Sequence, residues 1–263
     1  SADEIDFGAN VTGIGRSLTL RTLDPTQDIE LAGAGGTAAL DLTSAELGRL
    51  QDGFALVTIG ATNMSGELIV AGALSPLDPL RLAVSDPAGL VALGASITGS
   101  ESVQISGPVE LRANVTVSGV GVSIDNTVDG DVAGTRSLTV TSTGAAVLAD
   151  TVGATRSLSS LTVNSTGLTT LTDAVTTAGA QTYNDAVSLA GDVTLTSTGN
   201  GAVLFGATVD GDASGTRALI INTGGATTLS GTIGAGNALA SLSTDAAGST
   251  TVSDSITTSG AQT

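Results

Sequence analysis

The 263-residue sequence contains no histidine, cysteine or tryptophan, and its eight cationic side chains are all arginine, so lysine is missing as well. Each absence removes a chemistry. Without imidazole or thiol there is no Ser-His-Asp triad, zinc finger, disulfide or thiol-ligated cluster, and without lysine no Schiff base or phosphate-binding P-loop lysine. Only Phe7, Phe54, Tyr183 and Phe205 are aromatic, so aromatic packing cannot build the core. With 25 acidic residues against eight arginines the net charge is -17, and the arginines are scattered singly. Phosphate binding needs clustered cations, so neither nucleic acid nor an anionic membrane is expected as a partner. No apolar run reaches the roughly 18 residues of a membrane span, and membrane insertion is not expected. The opening Ser-Ala-Asp-Glu lacks a basic n-region and an apolar h-region; we expect any export signal to have been removed or to lie outside this sequence.

Apolar residues make up 41% of the chain, enough to bury a core, and 36 glycines punctuate it. The chain also repeats itself. Residues 128–182 begin VDGDVAGTRSL and end TTAGAQT, residues 209–263 begin VDGDASGTRAL and end TTSGAQT, and 27 of the 55 aligned positions are identical without a gap. The second copy stops where Tyr183-Asn184-Asp185 would recur, which leads us to expect a longer parent chain. This divides the sequence into an irregular stretch at 1–127, a first 81-residue repeat at 128–208 and a truncated second at 209–263, all read as one domain.

Inside the repeat a shorter pattern recurs five times: an apolar residue, a glycine six positions on, then two further apolar residues at intervals of four. Its members are Leu138, Gly144, Leu148 and Val152; Leu161, Gly167, Leu171 and Val175; Val193, Gly201, Phe205 and Val209, after a two-residue insertion; Leu219, Gly225, Leu229 and Ile233; and Leu242, Gly248, Val252 and Ile256. A four-residue interval suits a helix and a strand alike. The residues between are threonine, serine, valine and asparagine, and segments such as LTVTST and VTLTST alternate apolar with small polar residues, which selects short strands. The glycines Gly144, Gly167, Gly201, Gly225 and Gly248 are read as corners that need a positive φ.

A coil of strand and corner cannot bury its own apolar side chains, whereas stacked coils close a narrow core. The fold class is therefore all-β, a parallel β-helix, with the apolar members of the pattern forming its core ladder in roughly 12 coils. One short helix is expected at about 44–51, with Thr43 or Ser44 as N-cap, Glu46 in the first turn and Gly53 as the stop. The proline-bearing stretch 75–89 is expected to be loop-rich. The segment 179–192, carrying the one tyrosine, is expected to protrude from the surface.

Two passages, LTSAELGRLQDGFALVTIG (42–60) after LTLRTLDPTQDIEL, and TTAGAQTYNDAVSL (176–189) before DVTLTSTG, resemble the repetitive β-helical shafts of large bacterial surface exoproteins of the filamentous-haemagglutinin type. With the repeats, the likeness covers nearly the whole chain. It implies export to the bacterial cell surface or the medium, and a structural or adhesive role; it carries over no binding residue.

Three chemistries are weighed against ordinary turn and strand formation. Asp129 and Asp131, and at the 81-residue period Asp210 and Asp212, flank a glycine and offer carboxylate oxygens to Ca²⁺, though neither an EF-hand nor a calcium nonapeptide is present. No other cofactor is implied. Polysaccharide cleavage needs two carboxylates at a set separation and a sugar-stacking platform, and no unrepeated acidic cluster beside an aromatic occurs, so no enzymatic activity is expected. Threonine ladders such as Thr139/Thr141 and Thr194/Thr196 would order water only if continued coil to coil, and Leu219-Ile220-Ile221 in the second copy predicts a break. The reading is a non-catalytic structural shaft of a secreted or cell-surface filament or adhesin. Its partners would be other copies of itself, end to end, or the remaining coils of a longer chain. The alternative is an adhesive module binding a cell-surface glycan or protein ligand, or Ca²⁺, through 179–192 or the Asp-Gly-Asp corners.

Overall fold

The computed structural model describes residues 5–34, 40–84, 88–245 and 247–263. It is a parallel β-solenoid of about eight turns, nearly all strand, with one four-residue helix among the described residues. The strands are three to six residues long in the main, and their alternating residues point in and out, as Leu138, Val140 and Ser142 inward with Ser137, Thr139 and Thr141 outward. β-Branched residues favour this pleated geometry, and each inward residue stacks on its counterpart one coil away. The chain divides into two compact units, Ser1–Asn126 and Thr127–Thr263.

In the first unit one face runs in parallel register through Ser17–Leu20, Leu56–Ala61, Leu80–Val84, Val103–Ser106 and Val122–Ile124. A second face holds Ile29–Leu31, Glu67–Val70, Leu90–Leu93 and Val109–Leu111, with Leu40–Leu42 turned back against the outer side of Ile29–Leu31. The third is shorter: Leu74 bridges Ile97, and Ile97–Thr98 pairs with Val115–Gly119. Where that face would continue past Leu74, the chain forms the helix Ser44–Leu47. Thr43 is its N-cap: the hydroxyl accepts from the Glu46 amide at 3.3 Å, and the Glu46 carboxylate accepts from the Thr43 amide at 2.8 Å, a capping box. The helix is shorter than the expected 44–51. It stops at Gly48, because Leu50 is drawn into a parallel bridge with Val11, and Gly53 lies beyond it at φ +125°.

This detour also corrects the expected coil number. Ser17 is paired with Leu56, whereas Val57 is paired with Leu80, so the first turn consumes far more chain than the next. The stretch 75–89 is likewise more regular than expected: Leu80–Val84 is a strand with Leu80, Leu82, Ala83 and Val84 buried, while 85–87 lie outside the described residues.

In the second unit the chain cycles through three faces. The first contains Val128, Val152, Val175–Thr177, Val193–Ser197, Ala218–Thr223 and Ser241–Thr244; the second, Ser137–Ser142, Ser160–Ser165, Gln181–Tyr183, Val203–Phe205, Ala226–Leu229 and Ser249–Val252; the third, Ala146–Leu148, Thr169–Leu171, Val187–Leu189, Val209–Gly211, Ile233 and Ile256. From Val128 to Val209 the chain takes eleven steps from face to face, three turns and two thirds. The 81-residue repeat therefore does not close on itself. Each residue of the second copy lands on the neighbouring face: Leu138 lies on the second and Leu219 on the first, Leu148 on the third and Leu229 on the second.

Of the fifteen apolar ladder residues, Leu138, Leu148, Val152, Leu161, Leu171, Val175, Val193, Phe205, Val209, Leu219, Leu229, Ile233 and Leu242 are buried; Val252 is exposed and Ile256 partly so. They form three ladders rather than one. The threonine reading changes in part. Thr139 neighbours Thr162 and Thr182, then Leu204, Thr228 and Thr251, so the break on this face falls at Leu204, while on the first face Ile220 breaks the ladder of its register neighbour Thr194 as expected.

The segment 179–192 does not protrude. Gln181–Tyr183 and Val187–Leu189 are ordinary strands of the second and third faces, and Gln181, Tyr183, Val187 and Leu189 are buried. The 32-residue spacing that suggested an insertion, from Leu161 to Val193, joins two different faces.

Candidate functional site

The Asp-Gly-Asp corners are the most elaborate polar structures repeated in the second unit. Val128 and Val209 open the three-residue strands Val128–Gly130 and Val209–Gly211, and the middle residues, Asp129 and Asp210, are the less buried ones. Asp129 Oδ1 accepts the amides of Thr155 at 3.0 Å and Arg156 at 2.8 Å, in the next coil. Asp210 Oδ1 does the same with Gly236 at 2.8 Å and Asn237 at 3.2 Å. The turns they hold open with Gly153 and Gly234, both at φ +71°, a conformation that disfavours a side chain. Arg156 adds a bond from Nε to the Gly130 carbonyl; asparagine stands at the equivalent position 237.

Asp131 and Asp212 close their own loops. Arg136 Nε and Nη2 reach the two Asp131 oxygens at 2.6 and 2.7 Å, and Arg217 reaches Asp212 at 2.6 and 2.8 Å. Each pair is a bidentate fork, with Gly134 (φ +72°) or Gly215 (φ +74°) between its members. The guanidinium bonds hold both carboxyls below the usual carboxylate range and raise both arginines.

The four aspartates therefore face backbone amides and arginines, not one another. Among the described residues no three potential ligands gather in a way that could hold a metal. In each corner Oδ1 of one aspartate accepts two backbone amides, and both oxygens of the other are held by an arginine fork.

Three of the five corner glycines, Gly167, Gly201 and Gly225, serve a purpose other than the one expected. Only Gly248 has a positive φ, +77°. A Cβ on Gly201 would stand 2.2 Å from the Gly179 carbonyl carbon, one on Gly225 2.3 Å from the Asn200 oxygen, and one on Gly167 2.7 Å from the Gly144 carbonyl. These positions demand glycine because successive coils touch backbone to backbone at the corner.

Two polar clusters of the first unit, and one cavity, were not foreseen. Arg112 donates to Glu67 at 2.9 Å and Glu110 at 3.0 Å, and its own pKa is raised, chiefly by Glu67. Asp125 accepts from Gln104 at 2.6 Å, Ser106 at 2.9 Å and Ser123 at 2.5 Å, while Arg81 donates to Ser106 at 3.3 Å. Arg81, Gln104 and Ser123 are register neighbours on one face, a relation legible only once coil lengths are known. Glu67 and Glu110 share one guanidinium, and Asp125 serves three donors. The cavity, about 300 Å³, lies where the helix replaces a strand; Leu47, Leu50, Val57, Ile59, Leu74 and Leu80 line it. Asp78 also borders it, and its carboxylate is bound to the Gly53 amide at 2.7 Å.

The ladders and corners together define the class, a repeat-built parallel β-solenoid. No family model, curated protein or solved structure matches the chain. Among the described residues no helix is long and apolar enough to cross a membrane.

Proposed function

We propose that the chain is a non-catalytic structural shaft segment of a secreted or bacterial cell-surface filament or adhesin, of the filamentous-haemagglutinin type that its sequence resembles. One observation carries this reading: in the second unit the charged corner groups are consumed in bonds that close a loop or tie a coil to its neighbour. Such bonding supports a role in holding coils in register under load, and it leaves the corners without an uncommitted acid–base pair. The adhesive alternative loses its expected protrusion, since Tyr183 and its neighbours are core residues.

The test is light scattering and negative-stain imaging of the purified chain over a range of concentrations, with and without chelator, beside a polysaccharide-turnover assay. Particles of uniform width, unaffected by chelation and without turnover, are expected. Turnover that disappears on a single Asp→Asn change would sink the structural reading.

A further inference from the structure

The helix Ser44–Leu47 occupies the place on the third face where a strand would continue past Leu74. Paired strands lie about 4.8 Å apart, whereas a helix with its side chains is about 10 Å across, so a helix in a strand's place opens a gap that its own side chains must fill. Here they do not fill it. Leu47 and Leu50 are only half-buried, and between them and the buried Val57, Ile59, Leu74 and Leu80 lies the cavity of about 300 Å³. At ~30 Å³ per water molecule this is room for about ten. Small-molecule pockets begin at about this volume and combine an apolar lining with a few placed polar groups. The cavity can be entered from solvent, since Ser44, Gly48, Ser75 and Leu77 on its border are exposed.

The placed polar group is Asp78. It borders the cavity, is 4% exposed, and its Oδ1 accepts from the Gly53 amide at 2.7 Å. Its Oδ2 accepts no hydrogen bond and meets no arginine among the described residues, yet it is not sealed from solvent. A carboxylate oxygen held among apolar side chains needs a donor. The ligand that answers both features has a short aliphatic body and one donor at its end, and a positive charge on that donor strengthens the bond, whereas an anion would be repelled.

We propose that this cavity is a binding site for a protonated primary amine on a short alkyl chain, the ammonium group on Asp78 and the alkyl chain against Leu47, Val57 and Ile59. This goes beyond the structural role above, and no step of it rests on that role. The chain contains no lysine, so the side chain of another copy cannot supply the group. It comes from a free alkylamine or from a lysine of a different protein, and both present the same chemistry to the site.

The full chain is to be titrated with hexylammonium, hexanol, hexanoate and Nα-acetyl-lysine amide while the methyl resonances of Ile59 and Leu80 are followed by NMR. Hexylammonium should shift them saturably and bind at least about tenfold more tightly than hexanol, with hexanoate weaker still. Asp78→Asn, which keeps an oxygen for the Gly53 amide, should remove the advantage of hexylammonium over hexanol. Leu47→Phe, a larger side chain at a half-buried position, should fill the space and abolish binding of both. Circular dichroism establishes that each variant is folded, and the comparison of the three hexyl probes on the unaltered chain needs no variant. Binding of the lysine amide as tight as that of hexylammonium supports the site and assigns the amine to a protein partner; binding of hexylammonium alone supports it and assigns a free amine. No saturable shift with any probe would overturn the proposal. Equal affinity for hexylammonium, hexanol and hexanoate, unchanged by Asp78→Asn, would overturn the assigned ligand class.

Discussion

Tyr183 lies in register with Phe205 one coil away, their rings stacked with centroids 4.9 Å apart and planes 16° from parallel. Two of the four aromatic residues thus meet inside a core built mainly from aliphatic side chains. The Tyr183 hydroxyl donates to Gln181 Oε1 at 3.2 Å, so a buried ring and a buried amide satisfy each other, and burial pushes the phenol far above its ordinary pKa. Replacing Phe205 by alanine should cost about 3–5 kcal/mol. Replacing Tyr183 by phenylalanine, which removes only the hydroxyl, should cost about 1–3 kcal/mol, because Gln181 Oε1 loses its donor. Urea titration followed by circular dichroism checks both.

Gly201 tests the backbone contact at the corners. Alanine there forces two coils apart, since its Cβ would meet the Gly179 carbonyl carbon at 2.2 Å. We expect a loss of about 1–3 kcal/mol, the range for overpacking. Alanine at Gly134, where the nearest atom to a Cβ is at 3.3 Å but φ is +72°, should act through backbone strain at that one loop. Hydrogen exchange would separate them, the first change loosening coils on both sides and the second only residues near 131–136.

Acid should weaken the second unit through Asp131 and Asp212. Their folded-state pKa values lie below the unfolded one, so the stabilisation is fully present above the unfolded carboxylate value and is lost as pH falls through the folded value. A double change to asparagine should lower stability at neutral pH, where the stabilisation is fully present, flatten the profile through that acidic window, and bring the two proteins together below it. Thermal melts of both proteins across the window provide the measurement.

Calcium should leave the melting temperature unchanged, and chelator likewise, because the corner carboxylates already accept from amides and guanidinium groups. Asp129→Ala should lower stability to the same extent with or without the ion. A calcium-dependent rise in melting temperature that disappears in this variant would show the corner to be a cation site.

The capping box offers a local control. Thr43→Ala should cost about 1 kcal/mol and loosen the helix Ser44–Leu47. A melt confined to the first unit would record it, since the bond partner, Glu46, lies within the same turn.

Much of the architecture is written in the residues themselves. Threonine-valine alternation selects strands, the scarcity of aromatics selects a narrow core, and a coil that cannot bury its own leucines must stack on another copy of itself. The start of the helix could be narrowed to Thr43 or Ser44 because an N-cap is a contact between near neighbours, whereas its end, expected at 51, could not. Which face each strand occupies is a different matter. Leu138 and Leu219 are equivalent in sequence yet sit on different faces, because the repeat spans eleven steps on a three-sided coil. Face assignment accumulates over every corner, so one 18- or 23-residue coil shifts all that follows; no local pattern records the sum. The same holds for Asp129 and the Arg156 amide, for Glu67 and Arg112, and for the burial of 179–192. The sequence by itself determined that there would be strands, corners and a stacked aliphatic core; the tertiary structure alone decided which corners touch, because contact between coils depends on their accumulated lengths.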